Sequence, residues 1–220
     1  MTTTTLMRKR MARLALAAAV AMIPHHAAAQ HSRLFSPEQL GALDAPDRDV
    51  WQRPDQIMDK LLIAEGSAVA DLGAGGGWFT MRLARRVGPN GKVYAEDVQS
   101  QMIEAITRRT ARAGVTNVKP VLGTESDPRL PGAVDAVLIV DAYHEVEQPV
   151  VSWLANVAKA LKPNGRIGIV EFRKDGLGPG PPMDERVDAD QVIRDAKAAG
   201  LRLLSRENFL RYQYMLVFTR

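Results

Sequence analysis

Cysteine is absent from the 220 residues, which excludes a disulfide scaffold, a thiolate zinc site, an iron–sulfur cluster and a cysteine nucleophile. Histidine is scarce, with four in all. His25 and His26 lie in a leader read below as removable. The two that remain, His31 and His144, are too far apart in sequence to argue for a metal site, so none is expected. Acidic side chains are missing from residues 1–29, which hold Arg8, Lys9, Arg10 and Arg13. The 29 Lys and Arg less these four leave 25, against 25 Asp and Glu. The formal charge of +4 therefore resides in the leader. A neutral body gives no electrostatic ground for nucleic acid or an anionic membrane as partner. No internal repeat is visible. At 46% hydrophobic and 25% charged residues, the chain is too apolar to be disordered and holds one substantial core.

What is present begins with that leader. Basic residues come first, then the apolar run Leu14–Ile23, then Pro24 and Ala27-Ala28-Ala29 ahead of Gln30. This is the pattern of an export signal over residues 1–29, with cleavage after Ala29. The run is short for a permanent span, and no consecutive Arg-Arg pair indicates a twin-arginine route. The mature chain is expected to be exported, periplasmic or secreted, with no stable membrane span. An uncleaved anchor, or a cytoplasmic protein with its start placed too far upstream, is the alternative. Residues 30–50, polar and carrying Pro37 and Pro46, are expected to form a loosely ordered arm, with one domain over 51–220.

From Pro54 the texture is regular. Ile57, Met58, Leu61 and Leu62 recur at helical spacing behind a proline suited to a first helical turn. Ser67–Asp71 reads as a strand, Phe79–Leu83–Val87 as a helix closed by Gly88-Pro89-Asn90-Gly91, and Lys92–Glu96 as a second strand. Met102, Ile103 and Ile106 mark the next helix, Val118–Leu122 a third strand, and Val134–Val140 a strand buried on both faces. Val150 to Leu161 forms a clean helical stripe, Lys162–Gly165 a turn and Arg166–Phe172 a fifth strand. Residues 173–184, rich in glycine and proline, are expected to be a mobile loop. A helix over Ala189–Ala199 and two strands, Arg202–Asn208 and Tyr212–Phe218, complete the chain. The alternation predicts an α/β fold: a doubly wound, mostly parallel seven-stranded sheet with a C-terminal antiparallel hairpin. A ligand belongs at the carboxyl ends of its strands.

The richest segment is Val69-Ala70-Asp71-Leu72-Gly73-Ala74-Gly75-Gly76-Gly77. A carboxylate closes a strand, and glycines follow where the backbone must turn sharply or lie against a ligand. The dinucleotide fingerprint G-x-G-x-x-G fails in both frames, since the sixth position is Trp78 or Thr80. A carboxylate there suits a ligand that carries positive charge and an amine. Asp71-x-Gly73-x-Gly75-x-Gly77 resembles the first motif of class I S-adenosylmethionine-dependent methyltransferases. Val93-Tyr94-Ala95-Glu96-Asp97 resembles their second, and Ala160-Leu161-Lys162-Pro163-Asn164-Gly165-Arg166 their turn into the fifth strand. The resemblance spans about residues 50–219. It implies S-adenosylmethionine as cofactor and its demethylated product as second ligand. Asp71, Gly73, Gly75 and Gly77 would line the site, and Asp97 would accept the ribose hydroxyls. Glu96 adjoins Asp97, and strand alternation allows one of the two to face the cofactor. Gly123-Thr124-Glu125-Ser126-Asp127 stands where the family holds the adenine. This chain has Thr124 where many relatives have an acid, which leaves Glu125 or Asp127 as the adenine contact.

Methyl transfer from a sulfonium is an in-line displacement, so alignment and exclusion of water dominate, and a base is needed only where the acceptor must lose a proton. Asp141-Ala142-Tyr143-His144-Glu145 follows the buried fourth strand. It supplies the catalytic candidates His144, Tyr143 and Asp141. His144 has the ordinary pKa class of a base, with Glu145 or Asp141 to orient it, unless Tyr143 and His144 only cap the strand. Glu171 and Arg173 are further lining candidates. The resemblance makes Trp51 a lid over the cofactor, with N-terminal packing the alternative. Arg48 and Arg53 face either an anionic substrate or solvent. The N/D-P-P-Y/F motif of many amine methylators is absent, which weighs against DNA and leaves an unidentified small molecule as acceptor. Two other readings stand beside the methyltransferase. One is an exported module that binds the cofactor without turnover. The other is a nucleotide-dependent oxidoreductase, which lacks both its glycine fingerprint and Tyr-x-x-x-Lys.

Overall fold

The computed structural model describes residues 34–147 and 149–220; the leader lies outside them. A 3-10 helix (Pro37–Asp44) and two short helices, α1 (Arg48–Gln52) and α2 (Pro54–Lys60), precede the alternating region. Then follow β1 (Ala68–Leu72), α3 (Trp78–Val87), β2 (Lys92–Asp97), α4 (Ser100–Arg112), β3 (Val118–Leu122) and β4 (Val134–Val140). A 3-10 turn (Tyr143–Glu145) leads to α5 (Val150–Lys159), β5 (Leu161–Phe172), α6 (Ala189–Ala198), β6 (Arg202–Glu207) and β7 (Gln213–Thr219). The seven strands lie in the order β3-β2-β1-β4-β5-β7-β6. β1 to β5 are parallel, and β7 is antiparallel to both β5 and β6. The doubly wound sheet and its antiparallel end are as the alternation predicts. No helix among the described residues is long and apolar enough to cross a membrane.

The sheet is covered on both faces, which is why β4 reads as an unbroken apolar run. Its residues alternate between two cores. Val137 and Ile139 join Trp153, Leu154 and Val157 of α5 and Val192 and Ala196 of α6. Ala136, Leu138 and Val140 join Ile57 and Met58 of α2 and Phe79, Leu83 and Val87 of α3. Truncating one such buried leucine to alanine costs about 2–5 kcal/mol, so the pattern is strongly enforced. β5 begins earlier than the sequence suggests. Leu161 already pairs with Val134, and the expected turn Lys162–Gly165 bulges out before Arg166 takes up register with Ala136. Asn164 supplies the left-handed corner, at φ 67°. The reversal of strand order at β1/β4 opens a crevice at their carboxyl ends, and the signature residues lie there.

Candidate active site

β1 ends in Asp71 and Leu72, and the chain turns through Gly73, Gly75 and Gly77 at φ +64°, +53° and +80° before α3 opens at Trp78. Those angles strain any side chain but glycine's hydrogen. A Cβ on Gly73 would also collide with that of Ala142, at the end of β4. Asp71, 2% exposed, accepts a 2.6 Å hydrogen bond from Thr80 Oγ1. Burial raises its pKa to about 7, against the opposing pull of Thr80 and of the Arg48 charge.

β2 brings two acids to the same loop. Asp97 accepts from the Gly75 amide at 3.0 Å and the Gln99 amide at 2.9 Å. The Glu96 carbonyl accepts from the Ala74 amide at 2.8 Å, and the Glu96 carboxylate fills the space a Cβ on Gly123 would need. Alternation does not separate them, because Asp97 is the last residue of its strand and the chain curls there. Burial raises both pKa values, Glu96 strongly, with the Asp97 charge adding to the effect.

Beyond β4, Asp141 sits in the left-handed region at φ +53° and accepts a 2.6 Å bond from Gln213 Nε2. His144 Nδ1 faces Glu171 Oε2 at 3.0 Å, and the His144 amide donates to Glu171 Oε1 at 3.2 Å. Glu171, fully buried, is thus the group that orients the imidazole, in place of Glu145 or Asp141. Glu145 lies 4.0 Å from Nε2. Burial depresses the His144 pKa, but the bond to Glu171 and the charges of Glu171, Glu145 and Asp141 outweigh it and lift the value to about 9. Glu145 is itself pushed up to about 8 by burial, against the His144 charge.

Tyr143 is turned away from this group. It lies in the core beside α5 and α6, with its hydroxyl donating to Asp195 at 2.8 Å. Glu125 and Asp127 are exposed on a tight turn, where Asp127 caps the Arg129 amide and its charge adds to the rise of the Glu96 pKa. Arg173 donates to the carbonyls of Leu210, Arg211 and Gln213 and fastens the β6–β7 connection rather than lining the crevice. Trp51 packs on Phe172 and Tyr212, with ring centroids 6.0 Å apart in each pair, and not on the glycine loop. Residues 173–184 are anchored as well. Buried Arg186 donates to Pro181, Arg173 and Leu177 carbonyls, and Gly178 and Gly180 let the loop close against Tyr212 and Phe172.

The segment ahead of α2, expected as a loosely ordered arm over residues 30–50, is instead folded from residue 34 on, with helices at Pro37–Asp44 and Arg48–Gln52. From residue 34 it is laid across the crevice. The Phe35 amide donates to Glu145 Oε1 at 3.2 Å, and Gln99 Nε2 donates to the Phe35 carbonyl at 3.0 Å, so one residue bridges the ends of β4 and β2. Leu40 and Leu43 stand 3.1–3.2 Å from where side chains on Gly76 and Gly75 would begin. Arg48, read as facing an anionic substrate or solvent, is 8% exposed, with its guanidinium 4.3 Å from the Trp78 ring centroid. It opens a buried chain of bonds: Arg48 Nε to Gln52 Oε1 (2.9 Å), Gln52 Nε2 to Gln213 Oε1 (2.6 Å), Gln213 Nε2 to Asp141. Arg53 instead donates to the Phe209 carbonyl. No periodicity marks such contacts, since Gln52 and Gln213 are 161 residues apart.

The crevice therefore presents six acids, Asp71, Glu96, Asp97, Asp141, Glu145 and Glu171, to two cations, Arg48 and His144. It is built for a ligand bearing positive charge that lies against side-chain-free backbone, and S-adenosylmethionine, with its sulfonium and ammonium, fits that donor set. Residues 69–165 match the family model described as a methyltransferase domain. An uncharacterized methyltransferase of Mycobacterium tuberculosis is 35% identical over 157 residues, 70% of this chain and 60% of that protein. The ubiquinone/menaquinone biosynthesis C-methyltransferase of Pasteurella multocida is 32% identical over 132 residues, 59% of this chain and 48% of that one. The chain thus spans about 60% or less of the length of these curated relatives. Among solved structures, a SAM-dependent methyltransferase from Aquifex aeolicus superposes with a TM-score of 0.78 at 27% identity, over 84% of this chain and 98% of that one. The chain accordingly has the fold of the class I S-adenosylmethionine-dependent methyltransferases, and its residues 69–165 are similar to a methyltransferase domain.

Proposed function

We propose that the protein is an S-adenosylmethionine-dependent methyltransferase acting on a small-molecule acceptor. The observation that carries this reading is the convergence of Asp71, Asp97 and the left-handed glycines at the switch point of the sheet. When bound, the cofactor supplies a methyl group activated on sulfonium sulfur. The chain's own part is positional. Asp97 takes the ribose hydroxyls, Asp71 stands toward the ammonium, and the segment from Phe35 to Leu43 covers the glycine loop against water. His144 is the candidate base. Its bond to Glu171 fixes Nδ1 and leaves Nε2 as the atom that can take the acceptor's proton. A cation placed among the same acids lowers its pKa from about 9 toward the working range. The leader supports a second element of the proposal, an exported enzyme whose mature chain begins at Gln30.

Calorimetry with S-adenosylhomocysteine on the mature chain, followed by an acceptor screen, tests the activity. Binding and turnover are expected. Binding without transfer to any acceptor would leave a cofactor-binding module, and no binding would end the assignment. N-terminal sequencing of the fractionated cellular product tests the location; a soluble cytosolic chain beginning at Met1 or Met11 would refute export.

A further inference from the structure

The amino-acid end of the cofactor carries a carboxylate on the same carbon as its ammonium. An acid-lined crevice attracts the second and repels the first, and a cation set among those acids would answer the carboxylate. Four cations stand near the glycine loop, and three are spent. Arg82 is forked onto Asp49 and also bonded to the Trp78 carbonyl. Arg109 holds Asp44 and the Gly76 carbonyl. His144 is paired with Glu171. Arg48 is different. Its Nε donates to Gln52 and its Nη1 to the Leu43 carbonyl at 2.7 Å, and Nη2 has no partner among the described residues. The bond chain through Gln52 and Gln213 ties this guanidinium to Asp141 at the end of β4, and the charges of Asp141 and Asp71 both act on it. The Trp78 face on one side and the amide chain through Gln52 and Gln213 on the other hold its plane.

We propose that Arg48 binds the α-carboxylate of the cofactor's amino-acid end, donating from Nη2 and from the remaining Nη1 hydrogen. This rests on the cofactor reading above. A guanidinium with its other donors tied down is pre-organised for this, and the bond is charge-assisted. The residue would discriminate S-adenosylmethionine and its product from adenosyl thioethers that lack the carboxylate.

The test compares S-adenosylhomocysteine with its decarboxylated analogue by calorimetry, on wild type and on Arg48→Met. Wild type is expected to prefer the carboxylate-bearing ligand about tenfold or more. Arg48→Met should erase that preference while changing affinity for the decarboxylated analogue by no more than about threefold. Because both ligands share the adenosine part, loosening of the Phe35–Leu43 segment would weaken both and leave their ratio unchanged, and an unchanged ratio overturns the proposal. Should Arg48→Met not fold, the side-chain Nε–H resonance of Arg48 in the wild type is followed with each ligand. It should move with the carboxylate-bearing ligand alone, and equal movement with both overturns the proposal. Failure of wild type to bind either ligand would instead sink the cofactor reading.

Discussion

At the scale of single residues, the acids divide by what they already hold. Asp97 ties two backbone amides, Gly75 through Oδ2 and Gln99 through Oδ1. Asp97→Ala should weaken S-adenosylhomocysteine binding by roughly 2–4 kcal/mol, the worth of two charge-assisted bonds partly compensated by water. Glu96→Gln, which keeps an acceptor of the same size against Gly123, should cost less. Calorimetry giving the reverse order would move the ribose role to Glu96. His144 and Glu171 act as a pair. His144→Gln should lower acceptor methylation by about 10²–10⁴ with product affinity unchanged. Glu171 raises the His144 pKa, so Glu171→Gln should shift the rising limb of the rate profile to lower pH, because a base works only once deprotonated. A limb that stays in place would make Glu171 a packing residue. Asp71, Glu96, Asp97 and His144 were legible in the sequence, since each is the polar end of an apolar strand or follows one directly. Glu171 was legible only as a lining residue, because its partner comes from another strand. Tyr143 shows the limit of that reasoning: a polar side chain after a strand can also point back into the core.

Elements were the most readable level. Strand and helix periods survive in sequence because burial on two faces enforces them. The N-terminal segment was not readable. Its 3-10 helix from Pro37 to Asp44 buries no residue fully, so no stripe announces it. What holds it are Phe35 backbone bonds and the Arg48 chain, made to residues more than a hundred positions away in two cases. The glycine loop and this segment now form one structural unit, with Leu43 resting over Gly75. Gly75→Val should therefore keep the far-ultraviolet circular dichroism spectrum, lose about 1–2 kcal/mol of stability to the left-handed backbone, and abolish cofactor binding. Gly66→Val is the matched control. It has the same sign of φ, at +82°, but open space around its Cβ, so it should lose similar stability and still bind. Equal binding by both variants would make the loop purely structural.

For the molecule as a whole, the crevice is a store of charge held in the wrong state for an empty site. Burial lifts Asp71 to about 7 and Glu145 to about 8, and raises Glu96 strongly. His144 is lifted to about 9. Every one of these groups binds its proton more tightly folded than unfolded, where carboxyls titrate near 4 and imidazole near 6.5. Between those unfolded values and the raised folded ones the native state carries more protons, so stability must fall as pH rises. The acids contribute this fall from about pH 4 to 8, and His144 extends it from about 6.5 to 9. A ligand with net positive charge should reverse the trend, because it meets acids that are ionised only toward the alkaline end. The unliganded domain is expected to melt at a progressively lower temperature from pH 6 to pH 9. S-adenosylmethionine should raise that temperature more at pH 8.5 than at pH 6, and by a larger margin over the uncharged-sulfur product at the higher pH. Scanning calorimetry at fixed ionic strength separates this from a general charge effect, since the neutral body contributes little net repulsion. A ligand-free melting temperature that climbs over this range would mean that the acids are ionised and solvated in the empty crevice. The attraction for a cationic cofactor would then have to come from the backbone and shape of the glycine loop alone.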